Sequence, residues 1–379
     1  MIDYLEIRNK SSREVIGIID AAKSVIWKSV YYGVGEFEIY VSAELSSIDI
    51  LSEDNYVTRP GNSECGIIER VEITNDRIDG RMIVASGRFI KSILDRRIVY
   101  SATLSGVGNN YIWHCASSTL RGNVEAAVRG LIYNNAVAAG DINRNIPEIY
   151  WTDEDITGLP DVIVTDTASG GEESAEKQVT YKNLLEYTDS VLEEYSCGAR
   201  MWLDDELLRF RYKIYKGADR SRDSTTEQPI IFSQDFDNLT ASNYVKEKAA
   251  YKTTALIGGE GEGTERKCAF AYAWISGLER REIFVDAKDL TQEEQAMQDY
   301  RKQLEAQGRQ AVIELQQTET FDGEIDLTNS FYTYGVDYNL GDLITIEDKD
   351  IGRYINARIL SVTEVQDDDG YKIDIEYGV

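Results

Sequence analysis

Apolar and polar residues alternate with period two near both ends of the chain, and each time the alternation turns back on itself at an Asp-Gly pair. The early copy runs Val71-Glu72-Ile73, then Asp79-Gly80, then Ile83-Val84-Ala85-Ser86-Gly87. The late copy runs Val362-Thr363-Glu364-Val365, then Asp369-Gly370, then Ile373-Asp374-Ile375-Glu376-Tyr377-Gly378. Asp-Gly tolerates the positive φ angles of a tight turn, so each copy predicts a half-buried antiparallel hairpin. Each closes a block of similar strands. The pattern predicts a mainly β fold with α+β insertions, in which two related small β-barrels flank the inserted material.

Within residues 1–100 the short strands Tyr4–Arg8, Glu14–Asp20, Glu36–Val41 and Gly66–Ile73 are bounded by turn residues. They define an N-terminal barrel, which Phe89–Asp95, with helical spacing, plugs or exits. Residues 101–220 read as an inserted α+β domain. Asn123 caps one predicted helix and Thr180 a second, which Gly198 ends, and a hairpin turns through Asp204-Asp205-Glu206. Ala168–Ser174 is small, polar and acidic, the composition of a mobile loop. Residues 221–320 form a connecting domain whose helix has Thr291 and Glu294 as a capping box, Met297, Tyr300 and Leu304 as an apolar stripe and Gly308 as its cap. Strands then resume at Gln310–Leu315, and residues 321–379 supply the C-terminal barrel.

Composition narrows the function. A chain of 379 residues, 42% of them apolar, is long enough for about two to four domains. No apolar run approaches the ~20 residues of a membrane span, and Met1–Glu6 lacks the basic start of a signal peptide, so folding in a cytoplasm is expected. Forty basic residues against 67 acidic ones leave a net charge of −27, which repels nucleic-acid backbones and anionic lipid. Cys65, Cys115, Cys197 and Cys268 lie far apart and read as buried free thiols rather than a zinc or disulfide framework.

No catalytic, metal or cofactor motif survives inspection. His114 is the one histidine, and its neighbour Cys115 would point to the opposite face of a strand. Asp153–Gly158 begins like a calcium loop, but Val164 stands where a bidentate Glu is required and Pro160 intrudes. Asp367–Gly370 reads as the hairpin turn itself. Gly258–Gly263 carries two carboxylates that would repel phosphate and reads as a flexible hairpin loop after the strand Thr253–Ile257.

Six blocks in order carry a resemblance. They are Ile18-Ile19-Asp20 with Trp27 and Gly35–Ile39; Ile67–Val71 with Gly87–Arg97; Tyr215–Ser221; Ile230–Leu239; Leu256–Glu260; and Tyr338–Ile346. With these the chain resembles the tail hub proteins, or baseplate hub or tail-associated proteins, of long-tailed bacteriophages. The resemblance implies a homotrimer whose barrels alternate around a ring, matching a six-fold tail tube or distal tail ring above and a three-fold tip below. It implies as partners the distal tail or tail tube protein, the C-terminus of the tape-measure protein, and central spike or receptor-binding tip proteins, with DNA passing unread. Many relatives continue into a wall-cutting or receptor-binding region, whereas this chain stops at the last predicted barrel strand, so no lytic activity is expected. The competing readings are a tail-associated peptidoglycan or glycan hydrolase with its site in the α+β middle, and a carbohydrate-binding module using Trp113, Trp151 and Trp202.

Overall fold

The computed structural model describes residues 2–43, 45–62, 64–76, 80–99, 118–120, 123–152, 159, 177–179, 181–292, 296–325 and 331–378. The first strands in chain order are β1 (Leu5–Arg8), β2 (Val15–Ile19), β3 (Ala22–Val30), β4 (Glu36–Ser42), β5 (Tyr56–Thr58), β6 (Cys65–Ile67), β7 (Arg70–Asp76) and β8 (Gly80–Arg88). After them come β9 (Ser118–Leu120), β10 (Ile149–Tyr150), β11 (Lys177–Val179), β12 (Gly198–Asp204), β13 (Arg209–Tyr215), β14 (Ile231–Ser233) and β15 (Leu239–Glu247). The chain then forms β16 (Thr254–Gly258), β17 (Cys268–Ala271), β18 (Glu282–Asp286), β19 (Thr318–Ile325), β20 (Leu343–Asp348), β21 (Arg353–Asp367) and β22 (Gly370–Gly378). The helices are α1 (Leu45–Ile50), α2 (Val124–Ile132), α3 (Leu184–Glu194) and α4 (Met297–Glu314), with a short 3-10 helix at Ile90–Arg96.

The protein is mainly β with α+β insertions, as the alternation predicts. Both predicted hairpins pair: Asp76 faces Gly80 in β7–β8, Asp79 lying outside the described residues, and Asp367 faces Gly370 in β21–β22, so that the second turn is Asp368-Asp369 and Gly370 opens the returning strand. The two terminal sets of strands meet in one eight-stranded sheet, ordered β14-β20-β21-β3-β4-β8-β7 with β22 also on β21. The fifteen-residue β21 makes this possible. Its first part pairs with β20, and beyond a bulge between Ile359 and Ser361 its second part pairs with β3. The joining is edge to edge. The N-terminal core around Leu5, Ile7, Trp27, Phe37, Ile39 and Phe89 is built from residues up to 89 alone.

Contacts divide the chain into two compact units, the first drawn from residues up to 162, 176–240 and 325–379, the second built around Ala241–Glu324. The first unit holds the eight-stranded sheet, the small sheet β2-β1-β5-β6, and the inserted α2, α3, β12 and β13, whose apolar faces share a core with the 3-10 helix. In the second unit α4 packs Tyr300, Leu304 and Val312 onto the sheet β17-β16-β18.

Several local expectations shift. The predicted strand Gly66–Ile73 is two strands in different sheets, because the amide of Ile68 donates to Asn55 O and that of Glu69 to Ser86 O. Asn123 caps α2, accepting from the Ala126 amide at 2.8 Å, but α3 is capped by Asn183 and not by Thr180, which lies outside the described residues. The C-cap of α3 is Tyr195, followed by Ser196 in the left-handed region (φ 55°), while Gly198 already belongs to β12. The N-cap of α4 is Ala296, beyond Thr291, and Glu294 lies outside the described residues. Gly308 does not end α4 but sits inside it, where a Cβ would stand 2.3 Å from Ile257 Cδ1; the predicted strand Gln310–Leu315 is mostly the last turns of that helix. The Ala168–Ser174 loop also lies outside the described residues.

Gly370 has φ +118° and open space around its Cβ position, so its constraint is purely the backbone. Gly370→Val is expected to lose about 1–3 kcal/mol, read as a lower urea midpoint, and unchanged unfolding would contradict the turn assignment.

Candidate functional site

Tyr31 stands just beyond β3 and ties together three distant stretches of the first unit. Its amide donates to Leu360 O at 2.7 Å, and its hydroxyl donates to Ser196 O at 3.0 Å and accepts from the Gly217 amide at 3.3 Å. The ring is fully buried, and that burial pushes the phenol's pKa well up. Glycines make the room. A Cβ on Gly198 would lie 2.5 Å from the ring and one on Gly341 2.2 Å, while one on Gly217 would lie 1.8 Å from Gly341 O. Gly341 also has φ +91°, and the Arg358 guanidinium lies 5.4 Å from the ring centroid.

Beside this seat Asp342, buried, accepts from the Ala218 and Asn339 amides at 2.8 Å each and from Arg220 Nε at 3.1 Å. The Leu343 amide donates to Ala218 O at 2.9 Å, and the Arg220 amide to Leu343 O at 2.8 Å. Most of the Tyr215–Ser221 and Tyr338–Ile346 blocks are thus one joint.

A second buried node links β5's following loop to β21. Arg59 and Glu364 form a two-pronged ion pair, with Nη1 to Oε2 at 3.0 Å; the guanidinium lies 5.0 Å from the Trp27 ring centroid, and Tyr371 OH also donates to Glu364. Trp27 Nε1 donates at 3.2 Å to Glu64, whose carboxylate also accepts from Ser29 Oγ. Burial raises the Glu64 pKa, opposed by the Ser29 hydrogen bond and by Arg200.

Glu64 and Arg59 also line a cavity of about 650 Å³ whose other walls include Glu6, Arg8, Trp202 and the Asp204-Asp205-Glu206 turn. Arg8 is held by Glu6 at 2.7 Å and Asp205 at 2.8 Å. Asp204 accepts from Tyr150 OH at 2.6 Å and from the amides of Glu206 and Leu207, and the Tyr150 bond leads in holding its pKa down.

The chemical candidates fare as follows. His114, Cys115 and Trp113 lie outside the described residues, as does Asp153–Gly158. No group of three or more His, Cys, Asp or Glu among the described residues could hold a metal ion. The Gly258–Gly263 loop joins two antiparallel strands and is tied down, with Tyr300 OH accepting from the Glu260 amide at 2.8 Å and donating to Leu290 O at 2.7 Å. Cys65 and Cys197 are buried as expected, burial pushing the Cys65 thiol up to about 12, but Cys268 on β17 is exposed. Trp151 lies under Arg129 and Trp202 under Arg211, so both already have packing partners. Among the described residues no helix is long and apolar enough to cross a membrane.

This architecture is that of phage tail proteins. It is similar to the prophage MuSo2 43 kDa tail protein from Shewanella oneidensis, with TM-score 0.55 and 11% identity over 99% of this chain and 98% of that one. It is also similar to a tail protein from Neisseria meningitidis, with TM-score 0.51 and 12% identity over 99% and 96%. Prophage tail protein gp18 from Listeria monocytogenes gives 0.50 and 10% over 98% and 94%. The chain belongs to the siphovirus ReqiPepy6 Gp37-like protein family, whose pattern matches residues 4–379. No curated protein matches it.

Tyr31→Phe removes the hydrogen bonds of a buried hydroxyl to Ser196, Tyr215 and Gly217 and is expected to lose about 1–3 kcal/mol. Gly341→Ala, which meets both the ring and a strained φ, is expected to lose more; the reverse order of urea midpoints would contradict the seat. Glu64 has a folded pKa above its unfolded one, so its stabilising contribution is present below the ordinary carboxylate range and is lost as pH rises through the raised value. Glu64→Gln, which keeps an acceptor for Ser29 and Trp27 without the charge, is expected to gain stability over the parent between about pH 4 and pH 7. An equal difference at both pH values would count against a raised Glu64.

Proposed function

We propose that the chain is a tail hub protein, the subunit of a homotrimeric ring at the tail tip or baseplate that adapts the six-fold tail tube or distal tail ring to the three-fold tip and lets DNA pass. The observation that carries the reading is the convergence of three hub-like blocks on one joint: Tyr215–Ser221, Ile230–Leu239 and Tyr338–Ile346 meet around Asp342 and β20, with Tyr31 seated beside them. Strand sets from both ends of the chain are thereby fixed relative to each other, which a ring with alternating quasi-equivalent positions requires. Closing a ring with unlike surfaces leaves no free interface to propagate into fibres. The role is structural, without catalysis or cofactor. Its partners are further copies of itself, the distal tail or tube protein, the tape-measure C-terminus and the spike or tip proteins, and the net charge of −27 disfavours adhesion of passing DNA.

Light-scattering mass and averaged particle images at high protein concentration test this. The expected result is about three times the 42.8 kDa of one chain with a three-fold projection. A two-fold dimer, a persistent monomer, or hydrolysis of bacterial cell walls by the purified chain would overturn it.

A further inference from the structure

Three arginines crowd together at the end of the 3-10 helix. Arg97, next to Arg96, donates Nε to Arg144 O at 2.7 Å and Nη1 to Arg96 O at 2.9 Å. Both acceptors are carbonyls, and among the described residues no carboxylate bonds the Arg97 guanidinium. Its pKa is pushed down by desolvation and then by the charges of Arg144 and Arg96. The acids nearest in sequence are held by other groups. Asp95 binds Arg88 at 3.1 Å and Asn183 Nδ2 at 2.8 Å, Asp141 accepts from the Asn143 amide at 3.0 Å, and Glu148 pairs with Arg13 at 3.4 Å. Asp54 lies 3.8 Å from Arg96 and 3.9 Å from Lys10. In a chain of net charge −27 this is a local excess of positive charge.

An opposite feature stands at the β21–β22 turn. Asp367, Asp368 and Asp369 are consecutive, the last two are exposed, and the bond within them is the Asp369 amide donating to Asp367 at 2.9 Å. No ion pair among the described residues takes up their charge. Both features belong to the first unit, yet they do not meet within one chain. Between chains the case differs. Copies at −27 each repel one another, and a head-to-tail ring is held by two unlike surfaces on every copy. Ile98, whose carbonyl accepts from Arg144, and Ile142 are 50% and 79% exposed. Such apolar surface suits a protein neighbour better than the phosphates of passing DNA.

We propose that the Arg96, Arg97 and Arg144 surface of one copy binds the Asp367–Asp369 turn of the next copy around the ring, with Arg97 as the central cation. The fork of an arginine takes both oxygens of a carboxylate, which fixes the angle of the neighbour as well as its distance. A copy arriving in the wrong sense brings like charges together and is rejected. The inference deepens the hub reading by naming one contact between copies, and rests on that reading for there being a neighbour.

The test is the concentration dependence of mass by light scattering at low salt, where exposed charges are least screened. Asp368→Lys with Asp369→Lys reverses the turn, Arg96→Glu with Arg97→Glu reverses the patch, and a combined variant carries both reversals. Each reversal alone is expected to raise the concentration needed for assembly about tenfold or more, because like charges then meet at every contact. The combined variant is expected to return to within about threefold of the parent, since its charges are again opposite. Undiminished assembly of either folded reversal, or a folded combined variant no better than the reversals, would overturn the contact. If the patch reversal does not fold, the turn reversal decides alone, because the side chains of Asp368 and Asp369 hold nothing in the fold. A trimer indifferent to both reversals removes this contact and leaves the ring, whereas a parent chain that never assembles removes the ring and the contact with it.

Discussion

A single aromatic ring packed against bare backbone sets the geometry of the first unit. Tyr31 can reach Ser196 and Gly217 only because Gly198 and Gly341 bring their backbones against its ring, and Gly217 in turn lies on the carbonyl of Gly341. Interiors are packed to crystal-like density, so no neighbour can yield the volume of a methyl at these points without moving a strand. The strands that would move are β12, which opens the inserted hairpin, and β20 and β21, which lead to the C-terminus. The joint is therefore a steric register pin between segments that share no local sequence.

Polar chemistry then completes what shape begins. Asp342 satisfies two backbone amides and Arg220 at once, and the Arg59–Glu364 pair is buried against Trp27 with Tyr371 as a further donor. Buried ion pairs contribute little net stability against an apolar alternative, but losing one partner leaves a desolvated charge. Such groups penalise wrong pairings more than they reward the right one. In a sheet where β21 must change neighbours from β20 to β3 at a bulge, a penalty on slipped register has a clear use.

The second unit uses the same device in simpler form. Gly308 lets α4 approach Ile257 and Ala271 so closely that the sheet β17-β16-β18 is covered on that face with small residues, Ala255, Ala269 and Ala271. Phe270 and Phe284, on the alternate positions, face outward under Arg280 and Arg266. Close backbone approach through glycine thus recurs in both units.

What the sequence made legible follows from range. The period-two alternation is local, and both hairpins that it predicts pair, the second turning one residue earlier than its Asp-Gly, at Asp368-Asp369. Asn123 is a local cap and also forms. The misplaced signals were glycines and caps whose local meaning was ambiguous. Gly198 and Gly308 look like helix stops because glycine often ends helices, yet each is glycine for a neighbour, Tyr31 for one and Ile257 for the other. No window of sequence around Gly198 contains Tyr31, which is 165 residues from the adjoining Ser196 to which its hydroxyl bonds. The cavity was invisible for the same reason: its acids come from β1, the loop before β6 and the turn after β12, and 67 acidic residues give no sign which of them converge. The hub-like blocks fared better because each stretch keeps several of its constraints together, as Asn339, Gly341 and Asp342 do within four residues, so that a long-range joint left a short-range trace.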